Sequence, residues 1–251
     1  MEKPRRDSTT PAAVPSVQRA GAAGSAFPFA TKVMTTKVKI CGITSEAALE
    51  AALDAGAEFI GLVFYPPSPR HLAPAAAAKL ATKARGRAAV VVLLVDPDDA
   101  LIDEVAAAVA PDLIQLHGSE TPARVREIRA RCARPVMKAI KVRTQEDTAA
   151  AEAYFGAADL ILFDAAGPAG CLGILPGGNG IAFDWEALAP MKGRLFALSG
   201  GLTPDSVAEA VRRTGAAIVD VSSGVERAPG EKDPVLIRRF VAAAKSAAPA
   251  P

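Results

Sequence analysis

The sequence predicts an α/β protein folded as a single (β/α)8 TIM barrel, and three observations lead there. From Lys37 onward, short apolar runs alternate with alanine-rich stretches of helical character. Eight such runs lie between residues 38 and 223. Most are apolar at consecutive positions rather than at every second one, as strands buried on both faces are. Strand, helix, strand order implies right-handed crossovers and a parallel sheet, and eight repeats match a closed barrel better than an open doubly wound sheet.

The elements follow in order. "VKIC" (38–41) precedes a helix near 45–55 opened by Thr44-Ser45-Glu46, and "FIGLVF" (59–64) precedes one near 75–84. "AVVVLLV" (89–95) leads to 98–109, and "LIQLH" (113–117) to 120–132 behind Ser119-Glu120. "PVMKAI" (135–140) leads to 145–155, and "LILFD" (160–164) to 184–191. "LFALSG" (195–200) is followed by 204–214, opened by Thr203-Pro204-Asp205, and "AIVDVSS" (217–223) by 233–245. In the first strand, Val38 and Ile40 are expected to form the inner wall, with Gly42 as the turn beyond Cys41.

Residues 1–33 are rich in Ala, Pro, Ser and Gly without a sustained period, and are expected to be a disordered extension ahead of a barrel domain at 34–251. They lack the apolar segment of a secretory signal, and Met34 offers a second translation start beside the first strand. They hold five Lys or Arg against two acids, whereas the other 218 residues hold 24 against 25. That near-neutral body, with few aromatics and no basic stripe, argues against a nucleic-acid surface. No apolar run approaches the roughly 20 residues that span a bilayer, so no membrane role is expected. Three scattered cysteines, Cys41, Cys132 and Cys171, give no disulfide framework and fit a reducing cytoplasm. His71 and His117 stand at no metal-ligand spacing, so no metal is expected.

In a barrel the chemistry belongs at the C-terminal ends of the strands. Those ends read Cys41-Gly42, Tyr65 to His71, Asp96, His117-Gly118, Lys141, Asp164, Ser199-Gly200-Gly201 and Ser222-Ser223-Gly224. Gly200, Gly201, Ser223 and Gly224, on the last two loops, suit an anion cradle of backbone N–H groups, and Gly178, Asn179 and Gly180 offer a further turn. Arg70 follows Pro66, Pro67 and Pro69, a stiff segment suited to bidentate recognition of a carboxylate or phosphate. Cys41 and Asp164 are the candidate proton carriers, a thiol as base and a carboxylic acid as donor. Asp220 stands near the same mouth, where it either meets the ligand or holds neighbouring loops. Cys132 and Cys171 read as incidental.

The blocks "KICGIT", "GLVFYPPSPRH", "IQLHGSE", "PGGNGIAFDW", "LSGGLTPDSV" and "VDVSSGVERAPGEKD" resemble the phosphoribosylanthranilate isomerase family over residues 36 to 245. The resemblance implies a cofactor-free Amadori rearrangement in tryptophan biosynthesis. By position, Asp164 is the implied general acid, Cys41 the base that removes the C2 proton, and Arg70 the partner of the anthranilate carboxylate. His117 and Asp220 would line the pocket, and the Gly178–Gly180, Gly200-Gly201 and Ser223-Gly224 loops would hold the phosphate. The implied partner is a small phosphosugar, with the chain a monomer or homodimer in the cytoplasm.

Three features depart from the family pattern: Asn179-Gly180 where Thr-Gly is expected, Asp96-Pro97 after the third strand, and a long apolar loop after Asp164. Two rival readings are weaker. The histidine-pathway sugar isomerase, which handles two phosphates, would need an aspartate at the first strand and a repeat between half-barrels. A catalytically silent barrel would have lost Cys41 or Asp164.

Overall fold

A computed structural model describes residues 35–166 and 183–247. Eight strands run in chain order: β1 (Lys37–Cys41), β2 (Phe59–Phe64), β3 (Ala89–Leu94), β4 (Leu113–Leu116), β5 (Val136–Val142), β6 (Leu160–Ala165), β7 (Ala197–Leu198) and β8 (Ile218–Val221). Each pairs in parallel with its sequence neighbour, and β8 pairs with β1 to close the barrel. Helices α1 (Glu46–Asp54), α2 (Pro74–Ala84), α3 (Asp99–Val109), α4 (Pro122–Cys132), α5 (Gln145–Thr148), α6 (Val207–Thr214) and α7 (Pro234–Ser246) complete the βα units. Side chains cap several of them: Ser45 accepts from Ala48 N, Asp98 from Leu101 N, Thr121 from Arg124 N, and Asp233 from Val235 N and Leu236 N.

Period-two alternation divides each strand between two buried layers. Val38, Ile40, Ile60, Leu62, Val90, Val92, Ile114, Leu116, Val219 and Val221 join one apolar cluster with helix residues such as Leu49, Leu80, Ile102, Ile128 and Phe240. The opposite set faces the barrel interior, where Phe59, Val91, Leu113, Met137 and Leu160 fill the axis below the polar residues of the mouth.

This assignment corrects the reading of the first strand. Val38 and Ile40 pack toward the helices, and Lys39 and Cys41 point inward. Apolar alternation marks the core-facing side of a half-exposed strand, but here both sides are buried and the inner one carries a charge. Lys39 is 0% exposed and is neutralised by Asp220, its register partner on β8.

Other differences have local causes. The stretch expected as one helix over 145–155 is α5 followed by a 3-10 segment at Ala149–Tyr154, and 185–191 is 3-10 rather than α, with Pro190 inside it lacking a donor. Strand β7 spans two residues, because Gly200 turns to φ +92 just beyond it. Helix α4 starts at Pro122 behind the Thr121 cap. Glu120, expected in that helix, instead accepts from Asp96 N and Gly118 N and binds the Lys138 ammonium at 2.7 Å. A short antiparallel hairpin, β9 (Glu226–Ala228) with β10 (Glu231–Lys232), follows β8 and had no counterpart in the sequence reading.

Candidate active site

Inward-facing residues at the strand ends enclose a cleft of about 490 Å3 counted to its open rim. Cys41 from β1, His117 after β4, Asp164 from β6 and Asp220 from β8 all line it, together with Arg70 from the loop after β2. Thus the two expected proton carriers and the three expected substrate-binding residues meet in one place. Val63, Leu93 and Val95 supply an apolar wall, the mix of apolar surface and few polar groups typical of small-molecule sites.

The Asp164 end of the cleft is a hydrogen-bonded line. Gln115 Nε2 donates to His117 Nδ1 at 2.9 Å, and His117 Nε2 lies 3.1 Å from Asp164 Oδ2. An amide nitrogen only donates, so in this arrangement Nδ1 accepts and Nε2 is left to donate toward Asp164. Gln115 is fully buried, and among the described residues its Oε1 has no hydrogen-bond partner.

The Cys41 end of the cleft is charged. Lys39 Nζ donates to both Asp220 oxygens, at 3.0 and 3.1 Å. Burial pushes the Cys41 thiol above its ordinary pKa, and the Lys39 ammonium offsets part of that rise. Asp220 therefore lines the cleft while its carboxylate is held by Lys39.

Arg70 reaches the cleft beneath Gly42, where a Cβ would lie 2.5 Å from its Cδ. Its Nε and Nη2 donate to the two carboxylate oxygens of Glu226 at 2.8 and 2.7 Å. Lys232, on the other hairpin strand, binds Glu226 at 2.6 Å and donates to Ser222 O at 3.0 Å. Burial would raise the Glu226 carboxyl pKa, but the Arg70 and Lys232 cations outweigh it and hold the group below the usual carboxylate range.

The last two loops approach each other closely. Gly200 and Gly201 have φ of +92 and +63, and a Cβ on Gly224 would sit 1.9 Å from Leu202 O. Ser223 and Gly224 lie in a 3-10 turn at Ser223–Val225, and the neighbours Ser199 and Ser222 line the cleft. Gly178, Asn179 and Gly180 lie outside the described residues. Asp96, the departure after the third strand, has φ +45 and accepts from Ser119 N at 2.6 Å, so its charge ties two loops together.

Sequence reasoning missed Lys39, Gln115, Glu226 and Lys232. The available signal was a charged or amide residue inside otherwise apolar strands, as in "VKIC" and "LIQL".

Comparison with known proteins agrees with this architecture. A family profile described as N-(5'phosphoribosyl)anthranilate (PRA) isomerase matches residues 38–243. An N-(5'-phosphoribosyl)anthranilate isomerase from Paramagnetospirillum magneticum is 53% identical over 217 residues, which span 86% of this chain and 100% of the relative. The crystal structure of phosphoribosyl anthranilate isomerase from Thermotoga maritima superposes with a TM-score of 0.76 at 35% identity, covering 84% of this chain and 100% of that one. A phosphoribosyl anthranilate isomerase in complex with reduced 1-(o-carboxyphenylamino)-1-deoxyribulose 5-phosphate gives a TM-score of 0.74 at 33% identity, again over 84% and 100% of the two chains. With a closed eight-stranded barrel, a polar cleft at its strand ends and a profile match across nearly all of that barrel, the chain belongs to the N-(5'-phosphoribosyl)anthranilate isomerase family.

Proposed function

We propose that the chain converts N-(5'-phosphoribosyl)anthranilate to 1-(o-carboxyphenylamino)-1-deoxyribulose 5-phosphate, an Amadori rearrangement of tryptophan biosynthesis, with Asp164 as acid and Cys41 as base. The observation that carries the assignment of roles is that this carboxyl and this thiol, from strands three places apart, line a single cleft.

Asp164 gives a proton to the furanose ring oxygen as the C1–O bond breaks, and the anthranilate nitrogen lone pair forms the C1=N iminium. His117 Nε2, 3.1 Å from Oδ2, fixes the carboxyl and leaves Oδ1 for that transfer. Cys41, as thiolate, then takes the C2 proton. The C–H electron pair becomes the C1=C2 bond, and the iminium nitrogen regains its lone pair. The enolamine tautomerises by losing its O2 proton and gaining one at C1, which leaves the C2 ketone. One proton is given by Asp164 and one taken by Cys41, so the pair resets by exchange with solvent and the product is an isomer of the substrate.

Arg70 binds the anthranilate carboxylate, and the Gly200-Gly201 and Ser223-Gly224 loops, with Gly178, Asn179 and Gly180, bind the phosphate. The contact between the β7 and β8 loops at Gly224 and Leu202 supports treating the two as one cradle. Asp220 serves substrate indirectly, through Lys39.

The test is the loss of fluorescence of phosphoribosylanthranilate generated in situ. Wild type is expected to consume it, and Cys41→Ser and Asp164→Asn are each expected to lower kcat by roughly 100- to 10,000-fold. A folded wild-type protein that leaves the signal unchanged overturns the activity; near-full activity in either variant overturns that residue's role.

A further inference from the structure

The barrel interior contains a buried ammonium to which the reaction described above assigns no step. Lys39 is 0% exposed, and a charge that deep is retained only with a partner. Asp220 is that partner, binding Nζ through both carboxylate oxygens. Salt bridging alone, however, does not explain where the ammonium lies. Residues 39 and 41 alternate onto the same inner face of β1, so Nζ rises along the strand toward the Cys41 sulfur. The place opposite them on β2 belongs to Gly61, the register partner of Cys41. A Cβ on Gly61 would lie 2.9 Å from Cys41 Sγ and 3.1 Å from Lys39 Nζ, so sulfur and ammonium flank one gap left by a missing side chain.

We propose that Lys39 is the positioning residue of the Cys41 base: its ammonium, anchored by Asp220 and given room by Gly61, holds the Cys41 thiolate in the form and place needed to take the substrate proton. This rests on the reading of Cys41 as base. A fixed cation beside the sulfur stabilises the anion before C2–H cleavage, and the stabilisation disappears once the sulfur is protonated, which drives the thiol to pass its proton on. Asp220 keeps Lys39 charged so that the cation persists in an apolar interior. Among the described residues, the other charged or titratable groups facing the sulfur are Asp220, whose carboxylate acts to raise the thiol pKa, Lys232 from β10 and, across the cleft, Arg70, His117 and Asp164. None of these lies on β1 or β2, so none substitutes for Lys39 at the gap beside Gly61. The charge of Lys39, close to the sulfur across the Gly61 gap, acts to lower the thiol pKa against the effect of burial.

The experiment is a pH titration of thiolate ultraviolet absorbance, read as a difference from Cys41→Ser, in protein also carrying Cys132→Ser and Cys171→Ser. This readout needs neither substrate nor turnover. Lys39→Met removes the ammonium at similar length but leaves Asp220 unpaired. The double variant Lys39→Met with Asp220→Asn removes both charges together and remains foldable where the single variant fails. The expected order of midpoints is wild type lowest, the double variant higher, and Lys39→Met highest. Each unit of increase lowers the thiolate fraction about tenfold below the midpoint, and kcat is expected to fall with it while KM stays near the wild-type value. A midpoint identical to wild type in the double variant overturns the proposal and leaves Lys39 a structural ion pair. Loss of isomerase activity from wild type, by contrast, overturns the functional reading and leaves the titration result standing.

Discussion

The thiol of Cys41 is 5% exposed, and burial raises its pKa more than Lys39 lowers it. The reactive form of the proposed base is the thiolate. Its population therefore grows as pH rises from neutral toward the elevated pKa, and kcat at saturating substrate is expected to climb through that range. A series of kcat values from mildly acidic to alkaline buffer checks this; a profile that is flat or falls above neutrality would remove Cys41 from the rate-determining proton transfer. The same shift fixes a stability sign. A group whose folded pKa is raised contributes stability below its unfolded pKa and loses it as pH climbs through the folded value, so alkaline pH activates the base while weakening the fold around it. Cys41→Ser is expected to lose both trends together.

At the scale of elements, the β9–β10 hairpin has a function that its five strand residues conceal. Glu226 from β9 binds both Arg70 from the loop after β2 and Lys232 from β10, so the first and last parts of the cleft wall are joined through one carboxylate shared by two buried cations. Replacing Glu226 by Gln leaves two buried cations without their anion, a change that removes about 3 kcal/mol in comparable buried pairs. Lower Tm and a raised KM are expected at neutral pH. Because the Glu226 pKa is lowered in the fold, its contribution is present above the unfolded value near 4.5 and lost as pH falls through the folded one. The Tm gap between wild type and Glu226→Gln is therefore expected to narrow in acid below that point; a gap independent of pH would show that the carboxylate charge is not what the hairpin supplies. This device was poorly legible in the sequence. "VERAPGEKD" reads as a charged turn, strands of three and two residues give no period, and the partner arginine lies 156 positions away. By contrast, the strand ends were legible because a barrel places every one of them at the same rim, whatever the sequence separation. Cys41, Arg70, His117 and Asp164 could be gathered on that rule, whereas Asp220, short of its strand's end, was left between meeting the ligand and holding loops. Lys39 could not, since a lysine between two apolar residues resembles the wet side of a strand until Asp220, 181 residues further on, is known to neutralise it.

At the scale of the whole molecule, the barrel is closed by one strand. β1 bonds to β2 on one side and β8 on the other, from Lys37 to Cys41, and it carries both Lys39 and Cys41. Stability and the proposed catalysis thus share five residues. Thr36, immediately before β1, already has its own anchor: it is 1% exposed, and its hydroxyl donates to Ala216 O just before β8. Lys37 N donates to Ala217 O at 2.9 Å, extending the β1 to β8 ladder to the strand's first residue. These bonds come from residues 36 and 37, and the profile match begins at 38. We therefore expect a chain shortened by residues 1–33, starting at Met34, to keep kcat/KM within about twofold and Tm within a few degrees of the full chain, since surface or terminal changes away from packed groups shift stability by only about 0.5 kcal/mol. Parallel thermal melts and initial rates on the two proteins decide it. A large loss of Tm would mean that the closure of β1 on β8 depends on residues beyond Thr36, and a loss of activity at unchanged Tm would place an N-terminal group at the catalytic rim.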